Sequence, residues 1–163
     1  MSIALHIKVS LESPTIVVKS YLADLSDQEL LVRPADGANH IAWQLGHLIA
    51  SEHQLIEQVC PGSLPDLPEG FAEKYTKETS AVDDPGAFHL KEEYLKLMDE
   101  QRAGLLAALE KLSDEDLEKP SPESLQAFWA TVGAVFSGQG MHWMMHAGQW
   151  AVIRRQLGRQ PLF

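Results

Sequence analysis

Apolar residues recur along the chain with the 3.6-residue period of helices, and the alternation that marks strands is almost absent. Ile3, Ile7, Leu11, Val18 and Leu22 fall near helical spacing over residues 2 to 24. Pro14 interrupts this run, and Ser13 before it has the character of an N-cap with proline at the first helical position. One kinked helix and two shorter ones both fit. In "LSDQELLVRP", Ser26 and Glu29 have capping-box spacing, which predicts a short helix that stops before Pro34. Asp36, Gly37 and Asn39 open a second long helix over about 39 to 59, closed by Cys60-Pro61-Gly62. Residues 61 to 86 are rich in Pro, Gly, Asp and Glu. A connection this long predicts a functional or mobile segment, with a turn or two around "FAEKYT".

A third helix is expected over about 87 to 111. Leu90, Tyr94, Leu97, Leu105, Leu106 and Leu109 alternate there with charges, as on an amphipathic outer helix. "LSDEDLEKP" at 112 to 120 then echoes "LSDQELLVRP" at 25 to 34. The match is short and reads as one capping box used twice, with a repeated helix-pair unit as the sharper alternative. After a turn near Ser121-Pro122, the last long helix starts at Thr131 as N-cap and runs to Leu157, with Gly158 and Pro161 ending it. Arg154 and Arg155 fall in its last turn, where cations complement the helix dipole. Four long helices make an all-α, four-helix bundle the natural architecture, and the 61 to 86 connection argues against a plain up-down-up-down order.

The 163 residues fit a single domain, 1–163, and suffice for a sizeable core. Lys and Arg number 13 against 23 Asp and Glu, a net charge of -10. Such a surface repels phosphate backbones and anionic lipid, so no nucleic-acid or membrane partner is expected. One cysteine, Cys60, allows no internal disulfide and suits a reducing, cytoplasmic setting. At a helix end beside Pro61 it reads as structural or incidental. No signal peptide or membrane span is read.

The distinctive stretch is "HWMMHAGQW", 142 to 150. At about 100° per residue, Val135, His142, His146, Gln149, Ile153 and Leu157 share one stripe of the last helix. Residues at i and i+4 have Cβ atoms about 5–6 Å apart, so His142 and His146 can converge on one ion. Seven histidines in the chain make one such pair unsurprising, and spacing alone leaves a metal site and two core imidazoles both open. Placement on the apolar stripe favours metal, because two buried imidazoles each need partners and one ion satisfies both. A further ligand is needed. His40 and His47 share a face of the second helix, His53 lies on another face, and His6 and His89 read as isolated surface or capping residues. No HExxH, ExxH, P-loop, GxGxxG or GxSxG occurs, which removes zincins, ferritin-like di-iron bundles, nucleotide sites and serine hydrolases.

"NHIAWQLGHLIASE" (39 to 52), followed by "HWMMHAGQWAVIRRQLGRQP" (142 to 161), resembles the DinB-like superfamily, also called DinB/YfiT-like. The specific part is Trp-x-x-Gly-His and then His-x3-His-x-Gly-Gln; the likeness covers most of the chain in order. The resemblance implies a four-helix bundle with up-down-down-up topology and a divalent metal, zinc or nickel, held by three histidines. Carried over by motif, these are His47, His142 and His146. It also implies kinship with thiol S-transferases that use low-molecular-weight thiols such as bacillithiol or mycothiol, and with a mycothiol-dependent maleylpyruvate isomerase. Periodicity pulls the other way at His47. The apolar stripe of the second helix is Ile41, Leu45, Leu48, Leu55 and Val59, and His47 lies about 120° from it. The two agree if that side lines an open cleft. Glu52 falls within the apolar stripe, as a buried carboxylate or a snorkelling residue.

Three readings follow. In the first, the three histidines hold a metal with open positions in an enzyme of thiol-transfer type, with hydrolysis or isomerisation as variants. Trp43 and Gln149 then support the ligands or line the pocket, and a small molecule is the substrate. Arg154 and Arg155 are the minor candidates for an anionic substrate. In the second, the bundle binds a metal or ligand without catalysis, as a stress-response or sequestration module, with His40 or Glu52 closing the site. In the third there is no metal, and the histidines sit in the core of a homodimer with Trp143 and Trp150 at its interface.

Overall fold

The structure is a computed structural model and describes residues 2–163. Among these the chain forms α1 (Ile3–Leu22), α2 (Ile41–Val59), α3 (Lys91–Leu109), α4 (Asp114–Glu118) and α5 (Val132–Gln156). No strand is present among the described residues, only an isolated bridge between Pro120 and Thr131. The all-helical expectation holds, with four long helices and one five-residue helix.

Helix α1 starts at Ser2, whose Oγ accepts from Leu5 N at 3.2 Å, and it runs through Pro14 without ending. Proline removes one helical donor. Here Pro14 is buried, and the next residue ties the turn, Thr15 Oγ1 donating to Leu11 O at 2.8 Å. Ser13 therefore caps nothing. Both "LSD" segments do cap. Glu29 accepts from Ser26 N at 2.8 Å and Asp116 from Ser113 N at 3.1 Å, the first opening a single 3-10 turn at Glu29–Leu31 and the second α4.

The start of α2 differs from expectation. Its N-cap is His40, not Asn39: His40 Nδ1 accepts from Trp43 N at 3.1 Å. The ring is buried, and its Nε2 donates to Val82 O at 3.0 Å, so both nitrogens are used. Helix α3 also starts later than 87, after a 3-10 turn at Pro85–Ala87. Phe88 and Leu90 are extended, and Asp27 and Glu93 accept from the first backbone N–H groups, of Lys91 and Leu90, at 2.6 and 2.7 Å. Leu90 is exposed, while α3 buries Gln101 and Arg102 among its apolar positions. Helix α5 follows the sequence closely. Thr131 caps it, and Gly158 just beyond its end takes the left-handed φ of +74°.

Two apolar clusters fill the interior. One gathers Val18 and Leu22 of α1, Ile41 to Ile49 of α2, Tyr94 to Met98 of α3, and Trp143, Ala147, Trp150 and Ile153 of α5. The other joins Ile7 and Leu11, Leu55 and Ile56, Leu105 to Leu109, and Val135 and Phe136. Trp143 and Trp150 are therefore core residues, which corrects their placement at a dimer interface; their indole N–H groups find partners inside the chain.

The connection between α2 and α3 is folded down rather than loose. It holds 3-10 turns at Ala72–Tyr75, Lys77–Thr79 and Pro85–Ala87. Arg33 ties it to the entry of α2 by donating to Ala38 O, Ser80 O and Val82 O. The Tyr75 ring fills the place a side chain at position 46 would need; a Cβ on Gly46 would lie 2.2 Å from it. The Tyr75 hydroxyl is 2.7 Å from that of Tyr94 and 2.5 Å from His89 Nδ1. His89 is thus a partner in this network, not an isolated residue. No described helix is long and apolar enough to cross a membrane.

Glu52 is the polar centre of the second half of α2. It is 2 % exposed and accepts from Arg102 Nε at 3.2 Å, Arg102 Nη2 at 2.8 Å and Trp143 Nε1 at 2.7 Å. One carboxylate thereby joins α2, α3 and α5. A buried ion pair is costly to break from one side, because the remaining charge loses its partner. Arg102→Ala should lower unfolding free energy by about 3–5 kcal/mol in a urea titration. Replacing the carboxylate and the guanidinium together by apolar groups should recover most of that loss.

Candidate metal centre

The site lies where the middle of α2 meets the middle of α5. His47, on α2, reaches two histidines one turn apart on α5, and the three rings pack around a common point. Ring centroids are 5.2 Å apart for His47 and His142, 5.6 Å for His47 and His146, and 5.0 Å for His142 and His146. One ligand nitrogen from each ring lies within 4.8 Å of the other two. His146 is 9 % exposed and the other two are half-buried. The motif carry-over of these three residues thus corresponds to one cluster in space.

Each ring is held from behind. Trp43 stacks on His47 with centroids 5.0 Å apart and planes 9° from parallel. Its indole N–H is shared between Thr76 O at 3.2 Å and Thr79 Oγ1 at 3.1 Å, so the α2–α3 connection fixes the ring that fixes His47. His146 is oriented by Gln44, a residue that helical periodicity does not single out. The Gln44 amide Nε2 donates to Gln149 Oε1 at 3.1 Å and to Asn39 O. Its Oε1 therefore accepts, from Trp150 Nε1 at 2.8 Å and from His146 Nδ1 at 2.9 Å. An amide oxygen only accepts, so His146 carries its proton on Nδ1 and keeps the Nε2 lone pair free. The signal in the sequence was a glutamine inside the apolar run "IAWQLGHLI", three residues before His47.

Burial sets the protonation of the cluster. It depresses the pKa of His47, and burial followed by the charge of His47 brings His142 down to about 4. Burial, then His142 and His47, do the same for His146, also to about 4. Three close imidazoles that stay neutral at pH 7 present lone pairs instead of mutual repulsion. That donor set, with no carboxylate or thiolate in it, fits a borderline divalent cation such as Zn²⁺ or Ni²⁺ better than Ca²⁺ or Mg²⁺. The three histidines can hold one metal ion.

The other candidates sit elsewhere. His40 has both nitrogens committed at the N-cap of α2. Glu52 is committed to Arg102 and Trp143, neither snorkelling nor free to close the site. Gln149 supports the centre at one remove, through Gln44. Arg154 is 3 % exposed and pairs with Asp24 while donating to Tyr21 O at 2.8 Å, which ties α5 to the end of α1 and leaves no cation for an anionic substrate. Arg155 is exposed. Cys60 is half-buried at the end of α2, where burial raises its thiol pKa.

His47 is not turned to bulk water. It lines a groove of about 450 Å³ between α2 and the segment 67–76, together with Ser51, Gln54, Leu67, Tyr75 and Thr76. Periodicity was right that this side of α2 is off the apolar stripe; the folded connection covers it.

The pKa depression fixes the direction of a pH effect on the metal-free protein. The unfolded chain binds protons near pH 6.5, whereas folded His142 and His146 refuse them until about pH 4. The stabilising contribution is complete above pH 6.5 and is lost as pH falls toward 4, at roughly 1 kcal/mol per pH unit for each imidazole. Urea unfolding of metal-free protein at pH 7 and pH 5 should show this loss, and a His142→Gln, His146→Gln double variant should show less of it.

Compared with known families, the chain matches the sequence model of the DinB superfamily over residues 17–150. No curated protein matches it in sequence.

Proposed function

The chain belongs to the DinB superfamily, and on that footing we propose that His47, His142 and His146 hold one divalent ion in a metal-dependent thiol S-transferase. The observation that carries the reading is the convergence of three neutral imidazoles while every other nearby ligand type is engaged. With His40 and Glu52 tied up, the remaining coordination positions fall to water or substrate, the requirement for a catalytic rather than closed site. A four-helix bundle in up-down-down-up order belongs to the same reading. It is supported by the core clusters, in which early α1 shares a cluster with early α5 and late α2, and late α1 with late α5 and early α2.

The chain's own residues then divide the work. His47, His142 and His146 would hold the ion, which would supply Lewis acidity for activating a thiol near neutral pH. Gln44 holds His146 in the Nδ1–H form and aims its Nε2 at the centre. Trp43 limits rotation of His47. The groove beside His47 receives the substrate, with Tyr75 and Leu67 on its wall.

Metal content by mass spectrometry on tag-free protein should give one zinc or nickel per chain, lost in His47→Ala. Gln44→Leu should retain the fold and weaken metal binding about 10- to 100-fold, the usual effect of removing a ligand's supporting hydrogen bond. Metal-loaded protein should accelerate the reaction of low-molecular-weight thiols with an alkylating electrophile, and His146→Ala should not. No uptake of either Zn²⁺ or Ni²⁺ by the wild type would sink the proposal.

A further inference from the structure

His40 stands outside the metal centre, and both of its ring contacts are to backbone atoms that have no choice of role. Trp43 N can only donate, so His40 Nδ1, at 3.1 Å, carries a lone pair. Val82 O can only accept, so His40 Nε2, at 3.0 Å, carries the proton. The ring is 0 % exposed, and Phe88 meets it edge-on with ring centroids 4.6 Å apart. Both contacts therefore need the neutral imidazole. One of them caps α2, and the other fastens the α2–α3 connection to the start of that helix.

A second proton on this ring finds no acceptor. On Nδ1 it faces the N–H of Trp43, donor against donor, and the cap of α2 is lost. It places a cation at a helix N-terminus, the end that disfavours one. It also brings two cations to one carbonyl, because Arg33 Nη2 already donates to Val82 O at 3.3 Å. The charged groups that face the ring are Arg33, from the link before α2, and Asp83, from the connection. Asp83 is exposed and already paired with Arg33 at 2.7 Å, so it is a weak counter-charge for His40. Burial, with Arg33 behind it, outweighs the Val82 contact and Asp83 and holds the imidazole below the ordinary histidine value of 6.5.

What His40 fastens leads back to the metal centre. The connection is held at three places: His40 on Val82, Arg33 on Ser80 and Val82, and the Trp43 indole on Thr76 and Thr79. Trp43 is also the donor to His40 Nδ1, and its ring stacks on His47. One residue thus joins the cap, the connection and the backing of a ligand.

We propose that His40 is an acid-operated latch: protonation of its ring uncaps the first turn of α2, frees the connection around Val82 and releases Trp43 from behind His47. The role is regulatory, since His40 is neither one of the clustered ligands nor part of the groove wall. The neutral ring closes the latch, so closure is complete above pH 6.5 and is lost as the pH falls below it. The latch does not depend on which reaction the centre performs.

Amide hydrogen exchange followed by NMR on the full chain, kept metal-free, tests it. Corrected for the intrinsic exchange rate, protection of the Trp43 backbone N–H should fall by up to about tenfold per pH unit from pH 7 toward pH 5, the effect of one linked proton. The Trp43 indole N–H should fall with it, which simple fraying of a helix end does not produce. His40→Asn supplies an N-cap that does not titrate, and Trp43 protection in it should stay nearly level over the same range. The His142→Gln, His146→Gln double variant should keep the wild-type acid response, because the linked proton is on His40 and not on the ligand cluster. Level protection in the wild type, an unchanged acid response in His40→Asn, or loss of that response in the double variant overturns the latch. If His40→Asn does not fold, the wild type decides alone: the ring signals of His40 and the indole signal of Trp43 should shift over one common pH range, and separate ranges overturn the proposal.

Discussion

The seam between α2 and α5 has to bury polar side chains without leaving any of them unpaired. Gln44 and Glu52 lie on either side of His47 on α2, and both are almost without exposure. Each accepts an indole N–H from α5, Gln44 from Trp150 and Glu52 from Trp143. An unpaired buried amide or carboxylate costs far more than a hydrogen bond gains, so these two contacts admit only one register of the helices. In that register His47 falls opposite His142 and His146. Shifting α5 by one turn would break both indole contacts and separate the three rings.

The electrostatics of the seam follow from which charges are already compensated. Glu52 could have drawn protons or metal, but Arg102 neutralises it from α3. His40 could have been a ligand, but it caps α2. What remains around the three rings is stacked tryptophan, a glutamine oxygen and apolar surface, so burial dominates and keeps the imidazoles neutral. A cluster of lone pairs with no nearby counter-charge suits a cation that brings its own charge.

The long connection between α2 and α3 contributes as much to the site as the helices do. Thr76 and Thr79 hold Trp43, Trp43 holds His47, and Tyr75 occupies the notch left by Gly46 one residue earlier. The same segment walls the groove beside His47. Gly46 is required there by contact and not by backbone conformation: any side chain would displace Tyr75 and, with it, the wall beside His47.

Sequence patterning was sufficient for the helices, because the 3.6-residue period and the capping residues Ser26, Ser113, Thr131 and Gly158 act locally. It left the run around Pro14 open between one helix and two, where burial against neighbours carries a single helix through, and at the start of α2 a histidine took the capping role usually filled by asparagine or serine. It placed His142 and His146 on one stripe, since an i,i+4 relation is internal to a helix. His47 came only from resemblance to a family motif, because its own helix assigns it to the solvent side; the groove that encloses it is built by residues some twenty to thirty positions away. The roles of Gln44 and Arg102 were not legible at all. A buried polar side chain is defined by its partner, and partners on different helices are chosen by the tertiary register and not by anything periodic along the chain.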